Sequence, residues 1–145
     1  MDKKERREIL QELVDETRTI IIYEAPHKLV KTLKDLRETL GNRRMTLCRE
    51  LTKKHETAFR TTIDELIAHY EKEKPLGECV MVIEGKSRQE LKEEAAASWE
   101  EITIEEHMEI YESKGLSRKE AMKQVAKDRG VSKRDVYQYL VNIEQ

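Results

Sequence analysis

The chain has 145 residues, which suits one domain of ordinary size or a compact domain with a small appendage. Charged residues make up 40% and hydrophobic residues 37%, leaving a modest core, and the net charge of −2 excludes a globally basic, nucleic-acid-like composition. The charge is unevenly spread: Glu84 to Glu112 holds 10 acids and 3 bases, whereas Lys114 to Arg134 holds 8 bases and 2 acids. The basic stretch reads either as a footprint for phosphate or as a solvated helical face.

Lys3 to Asp15 follows an amphipathic helical pattern, with Ile9, Leu10, Leu13 and Val14 on one side. It starts so soon after Met1 that a chain entered partway is expected. Thr19 to Tyr23 is continuous and β-branched, a buried strand. It is far shorter than the ~20 apolar residues of a membrane span, so a cytoplasmic protein with no signal peptide is expected. Pro26 opens a helix whose stripe is Leu29, Leu33, Leu36 and Leu40, and Gly41 stops it. Met45, Leu47 and Cys48 mark a second strand, and Thr57 to Thr61 a third. Thr62 to Glu65 reads as a capping box opening a helix with Ile63, Leu66, Ile67 and Tyr70. Pro75 to Gly77 is a turn, and Cys79 to Ile83 is a fourth, central strand.

The order predicts an α/β fold: a mixed sheet of four or five strands covered by helices. Helical crossovers favour parallel neighbours, and the middle strands form an antiparallel hairpin. Residues 1–86 make this domain, and 87–101 a helical linker. Residues 102–145 make a small trihelical unit, its helices opened by capping boxes at Thr103, Ser117 and Ser132. Leu116 with Ala121, and Val131 with Val136, have hydrophobic-staple spacing. The last two helices have helix-turn-helix spacing, with Ala126 near the turn, Gly130 in it, and Val136 and Tyr139 behind it. Cys48 and Cys79 belong to no Cys/His cluster, so they read as reduced core residues and no metal site is expected.

Two loops are chemically unusual. Tyr23-Glu24-Ala25-Pro26-His27-Lys28 joins a strand to a helix, the place where open α/β sheets bind ligands, and reads equally as an ordinary turn with a capping Glu. Arg49-Glu50-Leu51-Thr52-Lys53-Lys54-His55-Glu56 reads either as a solvated hairpin loop or as a substrate-facing one. The five glycines are isolated, so no Gly-rich loop exists to let backbone approach a nucleotide.

Three ordered segments carry a family likeness: Thr19 to Leu29; Arg49-Glu50-Leu51-Thr52-Lys53 with Glu56; and Gly77 to Gly85. Together they resemble the ribosomal RNA small-subunit methyltransferase I group of the tetrapyrrole methylase superfamily, and the terminal trihelical unit is similar to the small domain that closes those chains. The likeness runs from about Thr17 to the end. Lys28 stands where Arg is usual, and Thr57 where a second acid is common; Lys28 lacks the bidentate contacts of Arg. The resemblance implies two α/β domains holding S-adenosyl-L-methionine (SAM) between them, this chain being the carboxyl-terminal half. Tyr23, Glu24, Ala25 and Pro26 would border the cofactor, with Gly77 and Cys79 approaching from the neighbouring strand. Arg49, Thr52 and Glu56 would face RNA, and Glu50 and Lys53 are candidates for the catalytic base. The implied reaction methylates the ribose 2′-hydroxyl of a cytidine in 16S ribosomal RNA of the small subunit, by a full-length enzyme for which homodimer assembly is compatible. From the basic stretch, Lys133 and Arg134 are read as phosphate contacts. Two other readings are compatible with the residues: a free-standing RNA-binding or adaptor module, and a relative that methylates a tetrapyrrole ring.

Overall fold

The computed structural model describes residues 1–145, which divide into two compact units, Met1–Ser87 and Arg88–Gln145. The first unit contains α1 (Lys3–Glu12), β1 (Ile20–Glu24), a 3-10 turn at Pro26–Lys28, α2 (Leu29–Leu40), β2 (Arg44–Arg49), β3 (Thr57–Thr62), α3 (Ile63–Lys72) and β4 (Cys79–Ile83). The second contains α4 (Arg88–Ala97), α5 (Ile104–Ser113), α6 (Arg118–Arg129) and α7 (Lys133–Ile143). No helix is long and apolar enough to cross a membrane.

The four strands form one sheet in the order β1-β4-β2-β3, and every pairing is antiparallel. This corrects the expectation of parallel neighbours in a mixed sheet. The strands at the two ends of each helical crossover do run the same way, as a crossover dictates. They are not adjacent, because β4 lies between β1 and β2, and β2 lies between β3 and β4. Two split β-α-β units therefore interlock. The hairpin between β2 and β3 is antiparallel, as expected.

Helices cover one face of the sheet. Leu29, Leu33, Leu36 and Leu40 of α2 and Ile63, Leu66 and Tyr70 of α3 pack on Ile20, Met45, Leu47, Met81 and Ile83. The alternate strand positions form the other face, where Ile21 is 61% and Tyr23 79% exposed. Cys79 is buried on the covered face, while Cys48 is only half-buried on the open one. At the start of α3 the capping box is half-formed. The Thr62 hydroxyl accepts from the Glu65 N–H, but the Glu65 carboxylate accepts from the Thr61 hydroxyl instead of reaching back.

In the second unit all three capping boxes form as read. Gly130 ends α6 at φ 67°, the left-handed conformation that glycine adopts without a Cβ penalty. Met108, Ala121, Val125, Ala126, Val136 and Leu140 make the core, joined by Leu116. Leu140, rather than Tyr139, fills the space behind the turn, and Val131 stays largely exposed opposite Val136.

Beside this core lies a polar cluster. The His107 ring is fully buried, stacks on Trp99 at 4.0 Å between centroids, and is held at both nitrogens. Arg129 Nε donates to Nδ1 at 3.0 Å, which leaves Nε2–H to donate to Asp128 Oδ2 at 3.0 Å. Asp128 also accepts from Tyr111 and Gln124. Burial pushes the imidazole below its ordinary value near 6.5, and the neighbouring Arg129 charge adds to this against the pull of Asp128. The unfolded chain then takes up a proton at a pH where the folded unit resists it. The stability that His107 contributes is present above about pH 6.5 and lost as pH falls below it. Thermal melting of the chain is expected to show the second unit losing stability between about pH 7.5 and about pH 5.5. His107→Gln should lack that dependence, and a wild-type melting curve that is flat across this range contradicts the assignment.

Candidate functional site

The strand register gathers the sequence-derived candidates. Glu24 pairs with Cys79, Cys79 with Arg49, and Arg49 with Thr57, so one row crosses all four strands at one end of the sheet. Adjacent strands lie ~4.8 Å apart, which places Glu24 and Arg49 within roughly 10 Å of one another. The loops beyond this row are those after β1, between β2 and β3, and before β4. Tyr23, Glu24, Ala25, Pro26, Arg49, Glu50, Thr52, Lys53, Glu56, Gly77 and Cys79 thus share one end of the first unit. Lys133 and Arg134 lie in the second unit, at the start of α7.

The loop between β2 and β3 is held in an unusual backbone conformation. Glu50 has φ 53° and Thr52 φ 63°, a left-handed region uncommon for residues with a Cβ. Its own carboxylates hold it there. Glu56 Oε2 accepts from the Thr52 N–H at 2.7 Å, and the Lys53 N–H donates to the Glu50 carbonyl at 3.0 Å. The Glu50 side chain reaches across to the β4 end, where its Oε1 accepts from the Glu78 N–H at 3.0 Å. It fills the space that Gly77 leaves, since a Cβ on Gly77 would lie 1.8 Å from Glu50 Oε1. In return the Glu50 N–H donates to the Glu78 carbonyl at 3.2 Å. Arg49 is anchored to the same turn, its guanidinium donating to the Leu76 carbonyl at 2.6 and 3.0 Å.

Lys53 Nζ lies 3.4 Å from both Glu78 Oε2 and Glu50 Oε2. These two carboxylates, Glu78 foremost, raise its pKa and keep it a cation. Burial raises the Cys79 thiol, so it is held as a neutral thiol facing the core. No group of His, Cys, Asp and Glu is arranged to hold a metal ion.

The loop after β1 is tied inward. Glu24 Oε1 accepts from the Ala25 N–H at 2.9 Å, and Oε2 accepts from the Thr32 hydroxyl at 2.7 Å. Arg6 of α1 donates to the Thr32 hydroxyl at 2.8 Å and pairs with Asp35 at 3.1 Å. The relay from Arg6 through Thr32 to Glu24 and the clamp of Glu50 on Gly77 were missed in the sequence. The only local signals were an isolated glycine before a strand and a carboxylate facing a helix N-terminus. Tyr23 stays on the open face, and because β1 is an edge strand, half of its backbone polar groups have no partner in the sheet.

A depression of about 530 Å3, lined by Arg44, Thr46, Arg60 and Val82 among others, lies towards the opposite end of the sheet, away from these loops.

Gly77→Ala tests the clamp. It places a Cβ at φ 75° and against Glu50, so a loss of more than about 1 kcal/mol of stability is expected in urea denaturation. Adding Glu50→Ala should return the steric part and leave the backbone part. A single variant as stable as the parent contradicts the clamp.

The family model for tetrapyrrole (corrin/porphyrin) methylases matches residues 1–67. A protein of Bacillus subtilis (strain 168) named ribosomal RNA small subunit methyltransferase I is 46% identical over 135 residues, covering 93% of this chain and 46% of the relative. Proteins of the same name are 43% identical over 136 residues in Halalkalibacterium halodurans and 38% over 140 residues in a Synechocystis strain, with similar coverage. The chain spans about half the length of the curated relatives it matches. By these matches the chain is similar along nearly all of its length to proteins named ribosomal RNA small subunit methyltransferase I, and over residues 1–67 to the tetrapyrrole methylases.

Proposed function

We propose that this chain is the carboxyl-terminal part of an enzyme that transfers a methyl group from SAM to the ribose 2′-hydroxyl of a cytidine in 16S ribosomal RNA. The observation that carries the proposal is the set of relatives, each named for methylation of small-subunit ribosomal RNA and each matched along nearly all of this chain. The gathering of the family-like segments at one end of the sheet supports it.

The residues fit one side of a nucleoside-bearing cofactor. Tyr23 offers an exposed ring, the edge of β1 offers unpaired backbone groups, and Ala25 keeps the loop low. Pro26 fixes the turn that follows. SAM has no phosphate, so the lack of a Gly-rich cradle is no obstacle. Glu24 shapes this loop from within, because both of its oxygens are taken by Ala25 and Thr32. Gly77 and Cys79 act in the same indirect way, as the seat of Glu50 and as a core residue.

SAM, when bound, supplies an electrophilic methyl on a sulfonium. The chain's own groups do the rest on the RNA side. Arg49, Thr52, Lys53 and Glu56 lie on or beside the exposed loop, where a cation attracts phosphate and a hydroxyl or carboxylate can bond ribose. Of the two catalytic candidates, Glu50 is the one that can accept a proton; a ribose hydroxyl needs such a base to become a competent nucleophile. Lys53, held cationic, serves by its charge. In the second unit, Lys133 and Arg134 contact phosphate and read no bases.

Three outcomes test these assignments. The 145-residue chain alone is expected to bind SAM weakly or not at all in calorimetric titration, because it carries one side of the cleft. Micromolar binding contradicts this and favours a free-standing module. In a full-length protein containing the chain, Glu24→Ala should weaken SAM more than RNA, and Lys53→Ala the reverse. Equal losses in both titrations refute the division between loops. Lys133→Ala with Arg134→Ala should flatten the salt dependence of small-subunit RNA binding by about two phosphate contacts and leave SAM affinity unchanged. An unaltered slope makes the second unit structural.

A further inference from the structure

The second unit has a groove that phosphate contact alone does not explain. It lies between α6 and α7, with a volume of about 530 Å3, and is lined by Lys119, Met122, Lys133, Arg134 and Tyr137. Lys119 and Met122 are three apart on α6; Arg134 and Tyr137 are three apart on α7, and Lys133 and Tyr137 four apart. Such spacings put each set on one helix face. The groove's apolar lining is the half-buried Met122 and the Tyr137 ring, which is 57% exposed. Around it stand three cations, none engaged in an ion pair within 4 Å. An exposed aromatic ring and a half-buried thioether, with three cations around them, match a ligand with a flat apolar face beside a phosphate.

The helix-turn-helix shape narrows the choice. On DNA, such a unit lays the start of its last helix in the major groove and touches base edges. The A-form major groove of RNA is too deep and narrow for this. A closed RNA duplex offers phosphates to Lys119, Lys133 and Arg134 but no base face to Tyr137 and Met122. An unpaired nucleotide offers both.

We propose that the groove between α6 and α7 holds an unpaired RNA nucleotide, its base stacked on Tyr137 and Met122 and its flanking phosphates on Lys119, Lys133 and Arg134. This rests on the reading of the second unit as an RNA contact and adds the form of RNA it selects: a single strand or loop rather than a duplex. No base-specific hydrogen bond is involved, so the preference is for unpaired structure and not for sequence.

The test is fluorescence anisotropy with the 145-residue chain, using a labelled single-stranded oligoribonucleotide and a labelled hairpin duplex of equal length. The parent chain is expected to bind the single strand more tightly. Tyr137→Ala should weaken single-strand binding roughly tenfold, in keeping with the usual contribution of one stacked base, and change duplex binding little. Tyr137→Phe, which keeps the ring, should bind as the parent does. Tyr137 is exposed, so the alanine variant leaves the core intact, and an unchanged melting temperature verifies this. Binding of the single strand unaffected by Tyr137→Ala overturns the proposal, as does a duplex bound as tightly as the single strand. A DNA duplex preferred to either RNA overturns it too. If Lys133→Ala with Arg134→Ala abolishes binding while Tyr137→Ala does nothing, phosphate contact survives and stacking falls. If neither affects binding, the unit is no RNA contact at all, and both readings fall together.

Discussion

The placement of β4 between β1 and β2, antiparallel to both, is the constraint on which the candidate site depends. Antiparallel insertion puts the start of β4 level with the ends of β1 and β2. Three loops up to about fifty residues apart in sequence then emerge side by side. Had β4 run parallel to its neighbours, the turn at Gly77 would sit at the far end of the sheet and Glu50 would have nothing to clamp. The apolar pattern of β4 suits this position: every residue but Val82 is buried, as expected of a central strand flanked on both sides.

The clamp stabilises what the topology brings together. A hairpin loop of seven mostly polar residues is costly to order, since each residue fixed loses on the order of 1–2 kcal/mol of backbone entropy. The chain offsets this with reciprocal bonds between Glu50 and Glu78, the Arg49 anchor on Leu76, and Glu56 closing on Thr52. Gly77 is needed because Glu50 occupies the position of its missing side chain. The loop after β1 is fixed independently, from α1 through Arg6 and Thr32. Two separately braced loops suit a site that meets two different ligands.

What the sequence made legible follows the range of the interactions. Helix ends were readable because a cap involves residues three apart: Thr103, Ser117 and Ser132 each close a full box. The α2 stripe and the continuous run of β4 were readable from period alone. Strand direction was not, because the helical crossover signals only that its two strands run the same way, and not that a third lies between them. The half-formed box at Thr62 failed because Thr61, one residue earlier, competes for the Glu65 carboxylate. The His107 cluster was invisible for the same reason of range: Asp128 and Arg129 come from α6, Tyr111 from α5 itself, and Trp99 from the segment before it. Resemblance named the loop residues, but their partners, such as Glu78 for Lys53 and Thr32 for Glu24, emerged only from the fold.

The central claim is that the two braced loops serve different ligands at one end of the sheet. Hydrogen exchange on a full-length protein containing this chain, read by mass spectrometry with SAM and with small-subunit RNA added separately, tests it most directly. The account predicts that SAM slows exchange in residues 20–28, and that RNA slows it in residues 49–57. Protection of neither segment by its ligand, or of the first by RNA and the second by SAM, would contradict it.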